Sequence, residues 1–320
     1  MECVEENCVS TLSPELLEHC RAVLNHHAKT FSLAGRLLPK PVLDRAAVVY
    51  AFCRLVDDTA DEADSIDEAR RGVAQLQAEL KGEVTPRAVV AAYLAVCADT
   101  GIPVEAAEEL MRGVTGDLGS VHFEEDRQLV RYGYRVAGTV GLMMCGVLGV
   151  KDRRAWANAI DLGIAMQITN ICRDVQEDAA RARVYLPTQR LDQALGSTCD
   201  WHQALSAGAP EHRRAASVVV DDLLTLADRY YASADRAMSA IPLGGRMAII
   251  VASRVYRAIG LVLRSRGCDP YKGRAVVPTF HKALWVIRAL GWVVFRSWSI
   301  DRHHDSTLHR PLRGLPAVAE

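Results

Sequence analysis

The chain has 320 residues, of which 50% are hydrophobic and 24% are charged, so it is long enough to bury a large core. Its 38 basic and 39 acidic side chains leave a net charge of −1, which argues against a polyanion-binding role and against a nucleic-acid partner. The nine cysteines are odd in number and never spaced as C-x-x-C, which argues against a disulfide framework and against a zinc site built on such pairs.

Apolar residues recur at helical spacing along nearly the whole chain, and the sustained alternation typical of strands does not occur. The sequence therefore predicts an all-α protein. In chain order the predicted helices are 14–28, 41–62, 65–81, 86–99, 103–120, 126–149, 152–179, 188–206, 210–240, 245–266 and 279–299. The segments between them are short and rich in proline and glycine, so we expect one helical domain over 1–304 and a flexible tail over 305–320.

Three segments bear on membrane association and localisation. The uncharged run 136–150 is shorter than the roughly 20 residues that cross a bilayer. The first ten residues lack the basic start and apolar core of a secretory signal, so we expect a cytoplasmic protein. The tryptophan-rich stretch 283–299 is interrupted by Arg288 and Arg296, and it suits a core or subunit-contact helix or an amphipathic helix at a membrane surface.

The helix predicted over 41–62 carries a polar stripe on one face. Its members follow one another at steps of four, three and four residues, which places them on the same side of a helix: Tyr50, Arg54, Asp57 and Asp61. The faces alongside are apolar. We therefore expect the helix to pack by its flanks while the stripe faces a polar or solvent-filled space.

A second polar stripe lies on the helix predicted over 152–179. Its members follow at steps of three, four and four residues: Gln167, Asn170, Asp174 and Asp178. The other faces are covered by apolar residues, namely Ile164, Ile168, Ile171 and Val175. The two stripes come from opposite halves of the chain, and each pairs aspartates with an arginine and an amide or a phenol.

Aspartates four residues apart on a helix repel each other, which costs a few tenths of a kcal/mol even when they are exposed. A solvated acidic face with local ion pairs, such as Arg54 with Asp58 or Arg173 with Glu177, would explain one such pair. Two of them indicate a site for hard divalent cations, because Mg²⁺ takes oxygen ligands from carboxylates and from substrate phosphates. Bound Mg²⁺ would neutralise a leaving diphosphate and so favour ionisation of an allylic C–O bond.

The two stripes, together with several other segments, resemble the squalene/phytoene synthases. The stripes read YxxxRxxDDxxD at 50–61 and NxxRDxxxD at 170–178, and the other segments are "KTFSLA" at 29–34, "YGYRVAGTVGLMM" at 132–144, "ARVYLP" at 182–187 and "VYRAIG" at 255–260. The segment "VAGTVGLMM" is most similar to the phytoene synthase branch. One departure is Ala182, where family members commonly have glycine.

The resemblance implies a single-domain class I isoprenoid synthase, a helical bundle around a central cavity. It implies head-to-head condensation of two geranylgeranyl diphosphates through a cyclopropylcarbinyl (prephytoene) diphosphate to phytoene, with release of two diphosphates. The implied cofactor is Mg²⁺, with Mn²⁺ as an alternative, and NADPH is not expected. The implied partners are prenyl diphosphates, a membrane surface contacted by the C-terminal helix, and downstream carotenoid enzymes.

The resemblance also assigns roles to individual residues. The residues expected to hold Mg²⁺ are Asp57, Asp61, Asn170, Asp174 and Asp178. Those expected to bind diphosphate are Lys29, Arg54 and Arg173, with an ion pair as the alternative role of Arg173. Those expected to line the substrate cleft are Phe31, Ser32, Tyr50, Tyr132, Gln167, Tyr185 and Tyr256. Ordinary core packing is an equal alternative for the tyrosines, and capping or packing of a helix end is the alternative for Phe31 and Ser32.

The sequence leaves the role of one helix and the exact reaction open. The glycine- and methionine-rich helix 136–149 suits a channel for a prenyl chain and, equally, the close approach of two helices. The nearest rival functions are dehydrosqualene or squalene synthesis from two farnesyl diphosphates. A non-catalytic assembly factor on the same fold is a more distant rival, and such proteins have lost the aspartate pairs that this chain retains.

Overall fold

The structure, a computed structural model, describes residues 12–27, 35, 38–277 and 304–318. Regular structure within these residues is almost entirely helical, which confirms the predicted fold class. In chain order the α-helices are α1 (Pro14–His27), α2 (Lys40–Asp61), α3 (Ile66–Leu80), α4 (Ala88–Thr100), α5 (Glu105–Gly116), α6 (Asp126–Gly133), α7 (Thr139–Val147), α8 (Ala155–Ala180), α9 (Thr188–Leu195), α10 (Trp201–Ala207), α11 (Pro210–Arg236) and α12 (Leu243–Ser265). A π-helical turn, Tyr134–Gly138, joins α6 to α7, and 3-10 turns span Met238–Ala240 and Ser306–Leu312. The predicted site residues Lys29, Phe31 and Ser32, and the predicted helix 279–299, lie outside the described residues.

Helix α8 is the central element of the described bundle. It packs against α7, α11, α12 and the π-helical turn. Its isoleucines at 160, 164, 168 and 171 are all buried, as is Val175. A helix that is apolar over most of its circumference packs against neighbours on several sides. The polar stripe of α8 is confined to the C-terminal half of the helix.

Helix α2 is also held by its apolar flanks. Val48, Val49, Phe52 and Val56 are buried, and α2 packs against α1, α3 and α4. The Phe52 ring stacks on Tyr93 of α4, with 3.9 Å between the ring centroids. These contacts orient the helix, and the polar stripe is left on the side that the flanks do not cover.

Glycines bring α8 close to the preceding helical segment. A Cβ atom on Gly163 of α8 would lie 2.2 Å from the carbonyl oxygen of Ala137, and one on Gly141 of α7 would lie 2.3 Å from the carbonyl oxygen of Ala159. Only residues without a side chain allow this backbone-to-backbone approach. Close helix packing is therefore one of the two roles expected of the glycine-rich helix.

Two local features differ from the sequence prediction. The helix predicted over 188–206 is two helices, α9 and α10, because α9 ends at Gly196, whose φ of 80° is left-handed. Two short parallel strands also form, β1 (Val121–His122) and β2 (Arg183–Val184), with Val121 paired to Arg183. They join the segment that follows α5 to the segment that follows α8. None of the described helices is long and apolar enough to cross a membrane.

The segment 304–318, which covers most of the tail predicted over 305–320, packs on the bundle. The Tyr230 hydroxyl donates to the Leu308 carbonyl at 2.9 Å, and the Tyr134 hydroxyl donates to the Pro316 carbonyl at 2.6 Å. His309 and Leu312 are buried. The polar composition of this segment did not predict these contacts, because they are made by its backbone carbonyls and by a few buried side chains. The division of the chain into one domain over 1–304 stays a prediction.

The close contact at Gly163 generates a stability prediction. Gly163→Ala should lower the free energy of unfolding by about 1–3 kcal/mol, because the added methyl group meets a backbone carbonyl that cannot move aside. Gly116→Ala is the matched control, since Gly116 is exposed at the end of α5 and a Cβ there would meet nothing within 4 Å. The control should be neutral or stabilising by up to about 1 kcal/mol. Urea unfolding followed by circular dichroism measures both, and equal effects would contradict the close-packing interpretation.

Candidate active site

The polar stripe of α2 lies in the last three turns of the helix. Asp61 is its final residue, and Asp57 and Asp58 stand one turn earlier. The guanidinium of Arg54 forms an ion pair with Asp58, which is the local pairing that the sequence suggested. Asp57 is left facing inward, and it lines an apolar cavity together with Tyr50.

The polar stripe of α8 has the same relation to its helix. Asp174 and Asp178 lie in the last two turns of α8, which ends at Ala180. The Arg173 Nε donates to Asp174 Oδ1 at 2.8 Å, and Arg274 approaches Asp174 with 3.4 Å between Nε and Oδ1. Arg173 therefore pairs with its neighbour Asp174 and not with Glu177, the partner considered from the sequence.

Asp117 and Arg183 connect the two stripes. The Arg183 guanidinium lies 3.7 Å from the Asp61 carboxylate, and its charge also lowers the pKa of Asp178. The negative charge of Asp117 raises the pKa of both Asp57 and Asp178. Arg183 and Asp117 therefore interact electrostatically with aspartates of both stripes, Asp61 or Asp57 on α2 and Asp178 on α8.

Burial and like charge leave two of the aspartates difficult to ionise. Burial, followed by the charges of Asp61 and Asp58, raises the pKa of Asp57 to about 7, against the opposing effect of Arg54. Burial, followed by the charge of Asp174, raises the pKa of Asp178 to about 7. The arginines near the two stripes supply less positive charge than the carboxylates supply negative charge. An added cation would restore the balance of charge.

The electrostatic potential at the two helix ends also favours the binding of a cation. The C-terminal end of an α-helix carries a partial negative charge, which favours basic residues there. Neither α2 nor α8 has a basic residue in its last turn, and both have aspartates in or beside it. Carboxylate oxygens together with the nearby Asn170 amide are the ligand types that Mg²⁺ takes, so the residues present fit such an ion.

A tyrosine pair stands beside the aspartates. The hydroxyls of Tyr132 and Tyr185 donate to the two oxygens of Asp117, at 2.6 Å and 2.9 Å. Their rings stack with 4.9 Å between centroids. Burial raises the pKa of both tyrosines, so both hydroxyls stay protonated as donors. Sequence reasoning selected the tyrosines and missed Asp117, which lies beyond the end of α5 where helical spacing carries no signal.

Arg183 was also missed. It stands inside the segment "ARVYLP", whose tyrosine alone was taken as a site residue. The residue before it, Ala182, adopts a left-handed backbone with φ of 56°, which explains why glycine is common there in the family. The Ala182 carbonyl accepts the Val121 N–H at 3.1 Å and so begins the β1–β2 pairing. The departure at Ala182 therefore leaves the loop conformation intact.

Two apolar cavities extend from the stripes into the bundle. The α2 cavity holds about 1000 Å³ of empty space, part of it open to solvent, and is lined at its polar end by Tyr50 and Asp57. The α8 cavity holds about 1060 Å³, also partly open, and is lined at its polar end by Gln167, Asn170 and Tyr256. The lining of both cavities includes Val136, Val140, Met144, Leu148 and Ile249.

The α8 cavity is elongated along its helix. Its lining runs from Asn170 back to Ala155 of α8, which corresponds to roughly 22 Å at 1.5 Å per residue. The glycine-rich segment 136–149 lines it and also packs closely on α8. The segment therefore makes the close helix contact that the sequence suggested, and its role as a channel for a prenyl chain stays a prediction.

An all-helical bundle in which aspartates at two helix ends stand above apolar cavities is the arrangement of the class I isoprenoid synthases. The sequence profile described as squalene/phytoene synthase matches residues 24–281. The chain belongs to the squalene/phytoene synthase family, and the resemblance found in the sequence is confirmed.

Curated relatives and solved structures agree with this assignment. The chain is 32% identical to the phytoene synthase of Cereibacter sphaeroides over 84% of this chain and 78% of the relative. It is 31% identical to the 15-cis-phytoene synthase of Pantoea ananas over 87% and 92%. A dehydrosqualene synthase structure aligns with a TM-score of 0.76 at 24% identity, over 88% of this chain and 97% of the other. A squalene synthase from Alicyclobacillus acidocaldarius aligns with a TM-score of 0.69 at 24% identity, over 82% and 100%; at these identities the structures show the fold alone.

The Asp117 contacts generate a coupling prediction. Tyr185→Phe should lower the free energy of unfolding by about 1.5–3 kcal/mol, because it removes a hydrogen bond to a carboxylate. In an Asp117→Asn background the same substitution should cost at least about 0.5 kcal/mol less, since the acceptor is then neutral. Tyr134→Phe, which loses a bond to the Pro316 carbonyl and does not share Asp117, is the control and should be additive with Asp117→Asn. Full additivity for Tyr185→Phe would contradict the network.

The left-handed backbone at Ala182 generates a second stability prediction. Ala182→Gly should raise the free energy of unfolding by about 0.5–1 kcal/mol, because a left-handed conformation is unfavourable for a residue with a Cβ atom. Ala180→Gly, two residues earlier in helical backbone, should lower it. Thermal unfolding of the two variants beside the parent protein measures the opposite signs, and destabilisation by both would show that Ala182 is not strained.

Proposed function

We propose that the protein is a phytoene synthase that condenses two geranylgeranyl diphosphates and releases two diphosphates. The observation that carries the proposal is the pair of apolar cavities with a shared wall, each lined by polar stripe residues at one end. Two prenyl chains lying in these cavities would bring their diphosphate-bearing ends to the same polar region. The names of the curated relatives support the same reaction, and these relatives match most of the chain.

The residues proposed to hold Mg²⁺ are Asp57, Asp61, Asn170, Asp174 and Asp178. When bound, Mg²⁺ would supply positive charge to the diphosphate group as its C–O bond ionises. This assignment is supported by the excess of carboxylates at the two helix ends and by the raised pKa values of Asp57 and Asp178. Mn²⁺ is the alternative ion.

The arginines are proposed to bind diphosphate oxygens. Arg54 and Arg173 hold aspartates of their own stripes, so each has a carboxylate partner that a diphosphate would have to share or replace. Arg183, between Asp61 and Asp178, is an additional diphosphate ligand by position and charge. Lys29, Phe31 and Ser32 keep their sequence-based roles as predictions.

The tyrosines are proposed to donate to substrate oxygens or to water held near them. Tyr50 and Tyr256 line the cavities near the aspartates, and burial raises the pKa of each, so both remain protonated. Tyr132 and Tyr185 are held in place by Asp117. Gln167 accepts a hydrogen bond from the Asn170 amide at 3.4 Å, and Asn170 stands one helical turn before Asp174.

The apolar walls complete the mechanism. In the first half-reaction, the C–O bond of one substrate breaks and its electron pair leaves with diphosphate. The resulting allylic cation bonds to the double bond of the second substrate, and loss of a proton closes the cyclopropane. A second ionisation, rearrangement and proton loss give phytoene. No hydride is consumed, so the route does not require NADPH, and the apolar cavity walls keep water from the cations.

The product test uses the purified protein with Mg²⁺ and either geranylgeranyl or farnesyl diphosphate, with and without NADPH. Phytoene should form from the C20 substrate without NADPH, with two diphosphates released for each hydrocarbon. A C30 product alone would replace the proposal with dehydrosqualene or squalene synthesis. If there is no product, and Mg²⁺ with a non-hydrolysable prenyl diphosphate gives no thermal shift, the protein is a non-catalytic member of the fold.

Substitution of the aspartates tests the proposed ion site. Asp57→Asn and Asp174→Asn should each reduce turnover by about 10²–10³-fold, because each removes charge that helps to bind the leaving diphosphate. Asp57→Asn should not lower the free energy of unfolding, since it relieves repulsion by Asp58 and Asp61. Asp64→Asn, an exposed position three residues beyond Asp61, is the control and should leave turnover unchanged. Retained activity in Asp57→Asn would remove that residue from the ion site.

The remaining partner assignments are also part of the proposal. We place the enzyme in the cytoplasm, peripheral to a membrane through the segment 279–299, where a hydrocarbon product would pass to downstream carotenoid enzymes. The apolar character of the product and the tryptophan-rich sequence of that segment support this placement.

A further inference from the structure

A second cluster of possible metal ligands lies away from the aspartate stripes. Asp161 of α8, His304 and His309 each offer one possible ligand atom, and these atoms all lie within 4.8 Å of one another. Asp161 stands 13 residues before Asp174 on the same helix, roughly 20 Å along its axis. The cluster is therefore separate from the proposed magnesium site.

The imidazoles of His304 and His309 each contact one oxygen of the Asp161 carboxylate. His304 Nε2 lies 2.9 Å from Asp161 Oδ2, and His309 Nε2 lies 3.0 Å from Asp161 Oδ1. The two imidazole rings are 4.2 Å apart between centroids. The exposed fractions of the side chains are 0% for Asp161 and His309 and 10% for His304, so the ligand atoms meet in a nearly closed space.

An outer layer of hydrogen bonds orients the carboxylate. The Ser233 hydroxyl donates to Asp161 Oδ2 at 2.5 Å. The Asn158 amide in turn donates to the Ser233 hydroxyl at 3.1 Å and to the Ser233 carbonyl at 2.9 Å. Support of this kind behind a ligating carboxylate is a regular feature of metal sites, because it fixes the direction of the ligand.

The buried carboxylate also requires a positive partner. The Asp161 side chain has no exposed surface, and its carboxylate oxygens contact only the two imidazoles and the Ser233 hydroxyl among the described residues. A carboxylate removed from water in this way is costly unless a positive group contacts it. Its charge is balanced either by a protonated imidazole or by a metal cation in contact with both imidazoles.

We propose that Asp161, His304 and His309 form a binding site for a divalent transition-metal ion, with zinc as the expected occupant. Two imidazoles with one carboxylate suit Zn²⁺ and related ions, whereas Mg²⁺ and Ca²⁺ prefer oxygen ligands alone. The ion would fasten the segment 304–318 to α8. Its role is structural, because the cluster does not line either cavity.

The test measures metal content and ligand identity. Protein freed of its affinity tag is stripped with a chelator and given Zn²⁺ in the presence of excess Mg²⁺, which competes at the aspartate stripes. After gel filtration it should retain about one zinc per chain. X-ray absorption at the zinc edge should then show nitrogen and oxygen ligands, imidazole scattering and no sulfur. Absence of retained zinc, or sulfur ligation, would overturn the proposal and leave a hydrogen-bonded cluster.

Variants add an independent measurement. His309→Gln should reduce the affinity for zinc at least about tenfold, and His202→Gln, on α10 and away from the cluster, should leave it unchanged. Should His309→Gln fail to fold, Ser233→Ala replaces it, because this substitution keeps all three ligands and removes the hydroxyl that orients Asp161, and it should weaken zinc binding about tenfold. Unchanged affinity in a folded variant would contradict the site. Catalytic activity is not the readout, so the result is independent of the proposed function.

Discussion

The arrangement of the molecule depends on gathering carboxylates at the C-terminal ends of two helices. Asp57 and Asp61 on α2, and Asp174 and Asp178 on α8, repel one another and the negative end of their own helix. Arg54, Arg173 and Arg183 offset part of this repulsion and leave part of it. The remaining repulsion is what the proposed Mg²⁺ would neutralise.

The packing of α2 and α8 is strong enough to hold such a site together. Burial of one valine, isoleucine or phenylalanine side chain stabilises a fold by about 1.5–3 kcal/mol, whereas an aspartate pair four residues apart costs a few tenths of a kcal/mol. Each helix has at least four such buried side chains beside its stripe. Close backbone contact at Gly141 and Gly163 adds to this, because it leaves α8 little freedom to shift. The aspartates are thus placed by apolar contacts that they do not take part in.

Helical periodicity was sufficient to predict the fold class, both polar stripes and the buried flanks of α2 and α8. It worked because all of these repeat at the spacing of a single helix. Asp117 follows the end of α5, and Arg183 lies in the two-residue strand β2, so their positions depend on how distant segments meet and helical periodicity does not mark them. The break at Gly196 and the docking of 304–318 were missed for a related reason: the first depends on one backbone angle, and the second on hydrogen bonds to distant tyrosines.

The shared wall of the two cavities has a consequence for how the enzyme can evolve. Val136, Val140 and Met144 line both cavities, so a change in the volume of any of them alters both cavities at once, and with them the space proposed for the two prenyl chains. A substitution at one of these positions therefore cannot change the volume of one cavity without changing the volume of the other. A wall shared by both cavities favours the condensation of two substrates of equal length. The symmetry of the proposed hydrocarbon product would then follow from the architecture of the protein.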